Sequence, residues 1–470
     1  MSSGANGKAK AAASGSKSSP AITSFFRTKS KAAGGSDADA VDLTGSDHVS
    51  DSAKTSTSTS TKTSTKTSME IATSPQTKSS ARTATSSSGD GSNNSSSSSS
   101  KSSSKSSVAN KRKAPETHSF FKPRKKVAAT TTSEAARDPQ IIVAWNANGL
   151  ANRLKYNADA IAAFLARESP DVLFVSETKL RASSQQKRNE LCMRDKRSID
   201  EATVLRTACE TGCLSTHSVV KLSLCDRRYA GTAMFVRKSG PRPVRIWFGL
   251  PDPETMEKVP HNEDGRIILL EWKSIMTLHT YTPNNGWTVE SFARRRTWDE
   301  KLTRWLRAMH NHKERKPIIY MGDMNVAPED CDVSDPDWFN AQGDPPASGD
   351  PADIGQAGCT NNEQLRFKHM AEEGNLTDAF RYLEVKSAIT RPTEVDAPIY
   401  TWRGHPGIDR PEAGRFYKKG MRIDHFLVSR SLLERVRRAD ICGRGLSAQD
   451  PSFLGSDHCP ILLELLPSKD

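Results

Sequence analysis

Four short segments of this chain carry residue types that could do chemistry together: Glu177-Thr178-Lys179, Tyr281-Thr282-Pro283-Asn284, Gly322-Asp323-Met324-Asn325 and Ser456-Asp457-His458-Cys459. Each borders an apolar run, which sets its polar side chains just past the end of a buried strand, where an α/β sheet collects its site. Glu177 and Asp457 are hard oxygen ligands suited to Mg²⁺, for which Mn²⁺ can substitute. Asp323 and Asn325 are two residues apart, and on an extended strand end that spacing points both side chains the same way. One could take a proton from water while the other holds that water in line with phosphorus. His458 could bind the phosphate, given a carboxylate that fixes its charge and tautomer, and Asp424 in Arg422-Ile423-Asp424-His425 is the candidate. Acids, amides and an imidazole on one sheet edge describe a divalent-metal phosphoesterase.

Each segment alone is weak. A single Asp-x-Asn is usually a turn or a helix cap, and Pro-Asn and Asn-Gly, which contain Asn284 and Asn148, are common turn dipeptides. The ordered set is what carries the reading. With Trp145-Asn146-Ala147-Asn148-Gly149-Leu150 at its head and Leu454-Gly455-Ser456-Asp457-His458-Cys459-Pro460 at its close, the chain from about Pro139 to Leu466 resembles the exonuclease III-like apurinic/apyrimidinic endonucleases of the DNase I-like superfamily. The resemblance implies that Asn146 and Asn148 belong to a metal-and-water network and that Glu177 binds the metal with Asp457. It implies that Tyr281 and Asn284 contact phosphate, and that Asp323 and Asn325, counted also among the metal's neighbours, direct the water. Asp424 would back the catalytic His458, and Trp402 would wall the sugar pocket.

The implied activity is hydrolysis of duplex DNA 5′ to abasic sites, with 3′-phosphodiesterase or 3′→5′ exonuclease activity beside it. The competing readings are a related phosphoesterase, acting as an RNA 3′-exonuclease or a phosphoinositide phosphatase, and a noncatalytic repair scaffold. The chain departs from the family's pattern at Ser176, where Gln is usual, and at Trp287, where some members carry an Arg that reaches into DNA. It also has Thr401 before Trp402, and Met421 in place of a frequent Trp.

The elements that must position these residues are legible as apolar runs. Ile141 to Ala144, Val172 to Val175, Thr232 to Val236, Ile267 to Trp272, Thr277 to Tyr281, Pro317 to Met321, His425 to Ser429 and Ile461 to Leu465 read as buried strands. Tyr156 to Glu168 and Phe292 to His310 carry helical spacing. Two regions read as insertions that short helices could interrupt: Leu180 to Arg227, long and charged, and Asp335 to Ala357, a surface loop rich in Asp, Pro and Gly. The fold expected is a four-layer α/β sandwich, two mixed sheets packed face to face with helices outside.

Composition divides the chain at about residue 137. The first 137 residues lack Trp, Tyr and Cys and are dominated by Ser, Thr, Ala and Lys. Such a segment cannot bury enough apolar surface to offset its ordering entropy, so disorder is expected. It holds 21 Lys and Arg against 9 Asp and Glu, so nearly all of the formal net charge of +13 lies there. Ile22-Thr23-Ser24-Phe25-Phe26 resembles a sliding-clamp-binding box, with Ser19 where such boxes prefer Gln. Lys111-Arg112-Lys113 and Lys122-Pro123-Arg124-Lys125-Lys126 have the layout of a bipartite nuclear import signal, or of a nonspecific DNA-binding arm. No membrane span or secretory signal is expected, and the protein should act as a monomer in the nucleus. The eight cysteines lie in the catalytic part and read as free thiols. Cys209, Cys213 and His217, with Cys225 nearby, have spacing that could hold Zn²⁺ on a helix face, although buried packing is the plainer reading.

Overall fold

The computed structural model describes residues 137–390, 399–404, 415–443 and 450–468, apart from the side chains of 218–219 and 386–390. The motifs at Ile22, Phe25 and Phe26 and both basic clusters lie outside the described residues. The strands are β1 (Ile141–Asn146), β2 (Val172–Ser176), β3 (His217–Ser223), β4 (Thr232–Arg237), β5 (Arg245–Trp247), β6 (Ile267–Glu271) and β7 (Met276–Tyr281). They continue as β8 (Ile318–Asp323), β9 (Leu376–Asp378), β10 (Trp402–Arg403), β11 (Gly420–Met421), β12 (Asp424–Ser429), β13 (Val436–Ile441) and β14 (Ile461–Leu465). The helices are α1 (Leu150–Tyr156), α2 (Ala158–Glu168), α3 (Lys196–Glu210), α4 (Val289–Asn311), α5 (Pro336–Asn340), α6 (Asn361–Glu373) and α7 (Ala379–Thr390).

One sheet runs β13-β14-β1-β2-β4-β3 and the other β5-β6-β7-β8-β12-β9. Each has one parallel pair at its middle, β1 with β2 and β7 with β8, and antiparallel neighbours outward. Period-two alternation sorts the apolar residues into layers. Ile142 and Ala144 of β1 face the other sheet and pack with Phe174, Ile268, Ile319 and Phe426. Val143 and Trp145 face outward onto Leu150, Ile161, Phe164 and Leu205 of the first helical layer. Beyond the second sheet, Leu278 and Tyr320 meet Leu302, Trp305 and Leu306 of α4 and Phe367 of α6. The result is the expected four-layer sandwich of two mixed sheets flanked by helices. His279 lies in the inter-sheet layer, stacked on Phe174 with centroids 5.1 Å apart. Burial lowers its pKa to about 3, so the ring there is neutral.

Four local expectations need correction. The helix read as Tyr156 to Glu168 is α2, which starts at Ala158, and a separate short helix, α1, precedes it and ends at Asn157, whose φ of −127° and ψ of 23° break the helical path. The region 180–227 is not merely an insertion, because it supplies α3 and the edge strand β3 of the sandwich. The region 335–357 carries the short helices allowed for it, α5 and a 3-10 turn at Pro351–Asp353, but it is not all surface: Phe339 is fully buried with Val333, Cys359, Met421 and Ile423. The four-residue spacing of Cys209, Cys213 and His217 does not share a helix face, because α3 ends at Glu210 and His217 opens a strand. Cys209 packs in the outer core, where burial pushes its thiol up to about 12, and Cys225 donates to Asp226 Oδ1 at 3.6 Å. All eight cysteines are unpaired, and no helix among the described residues is long and apolar enough to cross a membrane.

Candidate active site

The site forms along one edge where both sheets end. Asn146, Tyr281 and Asp323 are the last residues of β1, β7 and β8. Because β12 runs antiparallel to β8, its first residue Asp424 pairs in register with Asp323. Asp457 and His458 likewise precede β14, which is antiparallel to β1. Strand starts and strand ends therefore meet on one rim, and residues separated by more than 300 positions come into contact.

Asn146 sits at the centre. Its Nδ2 donates to Asp323 Oδ2 at 2.8 Å and to Glu177 Oε1 at 3.3 Å, and lies 3.5 Å from His458 Nε2. Its Oδ1 accepts from the Asn148 backbone N at 2.9 Å. Asn148 Nδ2 donates to Asp457 Oδ1 at 2.8 Å, while Trp402 Nε1 donates to Asp457 Oδ2 at 3.2 Å. Tyr281 donates its hydroxyl to Glu177 Oε1 at 2.5 Å. Burial, then the Glu177 and Asp323 carboxylates, push this phenol well above its ordinary range, so it is held as a neutral donor.

Asp323 and Asn325 come together in a way that alternation along a strand does not describe. The chain turns after β8, so the Asn325 backbone N donates to Asp323 Oδ1 at 2.9 Å, and Asn325 takes a left-handed φ of 47°. Asn325 Nδ2 then donates to the Thr282 carbonyl at 2.8 Å, and its Oδ1 accepts from Asn284 Nδ2 at 3.1 Å. Asn284 and Asn325 thus tie the loop after β7 to the loop after β8. Asn148, Glu177 and Lys179 also have positive φ values, of 44°, 47° and 51°. Such conformations cost of order 1–3 kcal/mol each in non-glycine residues and cluster where the surrounding structure needs them.

His458 lies between two buried carboxylates. Its Nδ1 is 2.8 Å from Asp424 Oδ2, and its Nε2 is 3.9 Å from Asp323 Oδ2, too long for a hydrogen bond. Burial opposes charging of the imidazole, but Asp424 and Asp323 outweigh it and hold His458 above its usual range. Burial and then Asp424 raise Asp323 above the ordinary carboxylate range, while His458 pulls it back. The ligand atoms of Asp323, Asp424 and His458 lie within 4.8 Å of one another. The His458–Asp424 hydrogen bond commits that imidazole to a carboxylate, so the trio works better as an anion-binding cation with its orienting acids than as a metal cage.

Sequence reasoning gave no role to two residues. Lys179 pairs with Glu177 Oε2 at 2.8 Å and donates closely to Asn148 Oδ1. The chain thus sets a positive group against two oxygen donors expected to hold metal, and the oxygen-only character of that set fits a hard divalent cation. The second is Arg295 on α4, whose guanidinium donates to the carbonyls of Pro283, Met324 and Asn325 at 3.2, 3.1 and 3.0 Å. Its Nε donates to Asp299 at 2.9 Å, and its Nη1 lies 3.5 Å from buried Glu363. Lys179 stood in a segment already singled out; Arg295 left no local signal beyond a basic residue in a helix.

Residues 143–458 match the Endonuclease/Exonuclease/phosphatase family. A DNA-(apurinic or apyrimidinic site) endonuclease of Arabidopsis thaliana is 35% identical over 337 residues, covering 70% of this chain and 85% of the relative. A second DNA-(apurinic or apyrimidinic site) endonuclease, from Plasmodium falciparum (isolate 3D7), is 32% identical over 359 residues, and the match covers 70% of this chain but 55% of that longer protein. An exodeoxyribonuclease of Bacillus subtilis (strain 168) is 26% identical over 324 residues, with 68% of this chain and 98% of that protein covered. The chain belongs to the Endonuclease/Exonuclease/phosphatase family, in its exonuclease III-like apurinic/apyrimidinic endonuclease branch.

Proposed function

We propose that this protein hydrolyses the DNA backbone 5′ to abasic sites, with Mg²⁺ as the divalent ion. The observation that supports this most is the single contact network in which Asn146 joins Asp323, Glu177 and His458, with Tyr281 and Asp424 completing it. The 35% identity to the Arabidopsis thaliana enzyme points to the same substrate.

Glu177, with Asp457 and Asn148, would hold the metal, and Asp323 and Asn325 adjoin that position. When bound, the ion would neutralise charge on the phosphate and on the departing 3′ oxygen. The protein's own groups do the rest. Asp323, kept basic enough by burial to accept a proton, takes it from a water beside Asn146 as that water attacks phosphorus. His458 in its charged form gives Nε2–H to a phosphate oxygen, while Asp424 fixes its ring through Nδ1. Tyr281 and Asn284 offer neutral donors to the same group, and Trp402 stands at the rim where the sugar would lie.

The discriminating experiment incubates the full chain with a duplex carrying one abasic site. Cleavage 5′ to that site with Mg²⁺ and none in EDTA is expected; turnover undiminished in EDTA refutes the reading. Parallel duplexes with a blocked 3′ end or an intact end measure the 3′-phosphodiesterase and 3′→5′ exonuclease activities. The Bacillus subtilis relative's name, exodeoxyribonuclease, is the reason to include them. We further propose that the first 137 residues act as a basic DNA-binding arm carrying a nuclear import signal, with Ile22, Phe25 and Phe26 as a sliding-clamp anchor.

A further inference from the structure

A strip of aromatic rings leads away from the catalytic rim, and beyond its first ring no step of the chemistry uses it. It begins at Trp402, whose indole N–H is held by Asp457 at 3.2 Å. Phe416 meets Trp402 edge-on, with centroids 5.3 Å apart, and Trp338 meets Phe416 at 5.7 Å. Arg415 connects the far end: its guanidinium lies 5.5 Å from the Phe416 ring, 5.9 Å from Trp338 and 5.5 Å from Trp287. It also donates to Gln342 Oε1 at 2.6 Å, which fixes it over the rings. Trp287 is 41% exposed. Its ring is approached so closely by Gly343 that a Cβ there would fall 2.2 Å from Cζ3. The region 335–357 therefore brings Trp338 and the close edge of Trp287 to the strip.

We propose that this strip is a stacking platform for nucleobases of the cleaved strand, drawn out of the helix beside the abasic nucleotide. The inference rests on the DNA-cleaving reading: a strand whose phosphate sits at His458 runs beside Asp457, and Trp402 is hydrogen-bonded to that carboxylate. Three features favour this occupant. The exposed face of Trp287, with the part-buried rings of Trp338, Phe416 and Trp402 behind it, can accept any base, since every base has a π face. A guanidinium among the rings both stacks on bases and attracts the phosphates between them. Moreover, the strip is continuous with the catalytic rim, so its occupant and the scissile phosphate belong to one molecule.

The test is a cycle between residue and base, measured by equilibrium binding without metal in a chelating buffer. One fluorescent single strand carries an abasic site flanked by normal nucleotides; a second has those flanking nucleotides replaced by baseless spacers. For the wild-type chain, removing the bases should weaken binding at least about fivefold, the lower end of one stacked base's contribution. Trp287→Ala and Trp287→Ala/Phe416→Ala should bind the two strands within about twofold of each other, and Trp287→Phe should restore the preference. A merely structural role would weaken both strands equally and leave the ratio unchanged. An unchanged ratio in Trp287→Ala, or a wild-type ratio near one, overturns the proposal. Cleavage of the abasic duplex by the same wild-type preparation in Mg²⁺ tests the underlying reading separately.

Discussion

Asp424 orients His458 and also charges it, and the two effects can be separated by pH. Asp424 raises the pKa of His458 and, as the second cause after burial, that of Asp323. In the proposed mechanism Asp323 must be ionised and His458 charged, so activity rises through the first pKa and falls through the second. The acid limb should stand above the ordinary carboxylate range near 4 and the alkaline limb above the ordinary imidazole value near 6.5. Asp424→Asn removes the anion that raises both, so both limbs should move to lower pH while peak turnover drops. A profile of kcat/KM against pH with unmoved limbs would refute this assignment. Glu177 should behave differently. Glu177→Ala should lower activity by orders of magnitude at low Mg²⁺ and recover part of it at high Mg²⁺, because the residue holds the ion. Asp323→Asn should fall comparably without such rescue, and wild-type turnover in that variant would sink its role as base.

At the scale of elements, the loops that carry Asn284 and Asn325 are held from behind by one helix. Arg295 donates to three carbonyls of these loops and faces Asp299 and buried Glu363. Arg295→Met would strand a buried acid, which typically costs about 3–5 kcal/mol. Urea unfolding should register that loss. Arg295→Lys keeps the charge but not the planar fork, so its stability loss should be smaller while kcat falls at least tenfold. Unchanged kcat in Arg295→Lys would show that the loops need no such brace. The same helix shows what was legible in sequence. Its length and its apolar face, with Phe292, Leu302 and Leu306, were readable from spacing, whereas the long-range reach of Arg295 was not. Strands with continuous apolar runs, such as β1, β2 and β8, stood out because both faces are buried. Strands β5, β9 and β13 did not, being short or alternating with exposed polar residues. The polar sequence of α3 hid a helix whose inner face is only Ser198, Ala202, Leu205, Ala208 and Cys209. In the site, residue identities and order were readable, but the turn at Asn325 depends on a left-handed φ that spacing does not encode.

Charge is distributed unevenly over the whole molecule, and that decides how the two parts share binding. The first 137 residues carry +12 of the formal +13, so the catalytic part is close to neutral. Each Lys or Arg that neutralises a phosphate of duplex DNA contributes about 0.9 to the slope of log affinity against log salt. A chain of residues 138–470 should therefore cut a short abasic duplex at low salt nearly as well as the full chain, with a distinctly flatter salt dependence of binding. An inactive truncated chain, or one with an unaltered slope, would refute this division. The two phenylalanines at 25 and 26 make a separate case, since a segment of that composition offers paired aromatics no core to join. Anchors of this kind commonly contribute about 2 kcal/mol or more each at an interface. A peptide spanning Ser16 to Lys31 should bind a sliding clamp saturably with micromolar Kd, corresponding to roughly 8 kcal/mol. The weak match at Ser19 is the reason not to expect tighter binding. Phe25→Ala/Phe26→Ala should abolish that binding and leave cleavage of a short duplex unchanged. A wild-type peptide that fails to saturate at high micromolar concentration would rule out the clamp as the partner of these two rings.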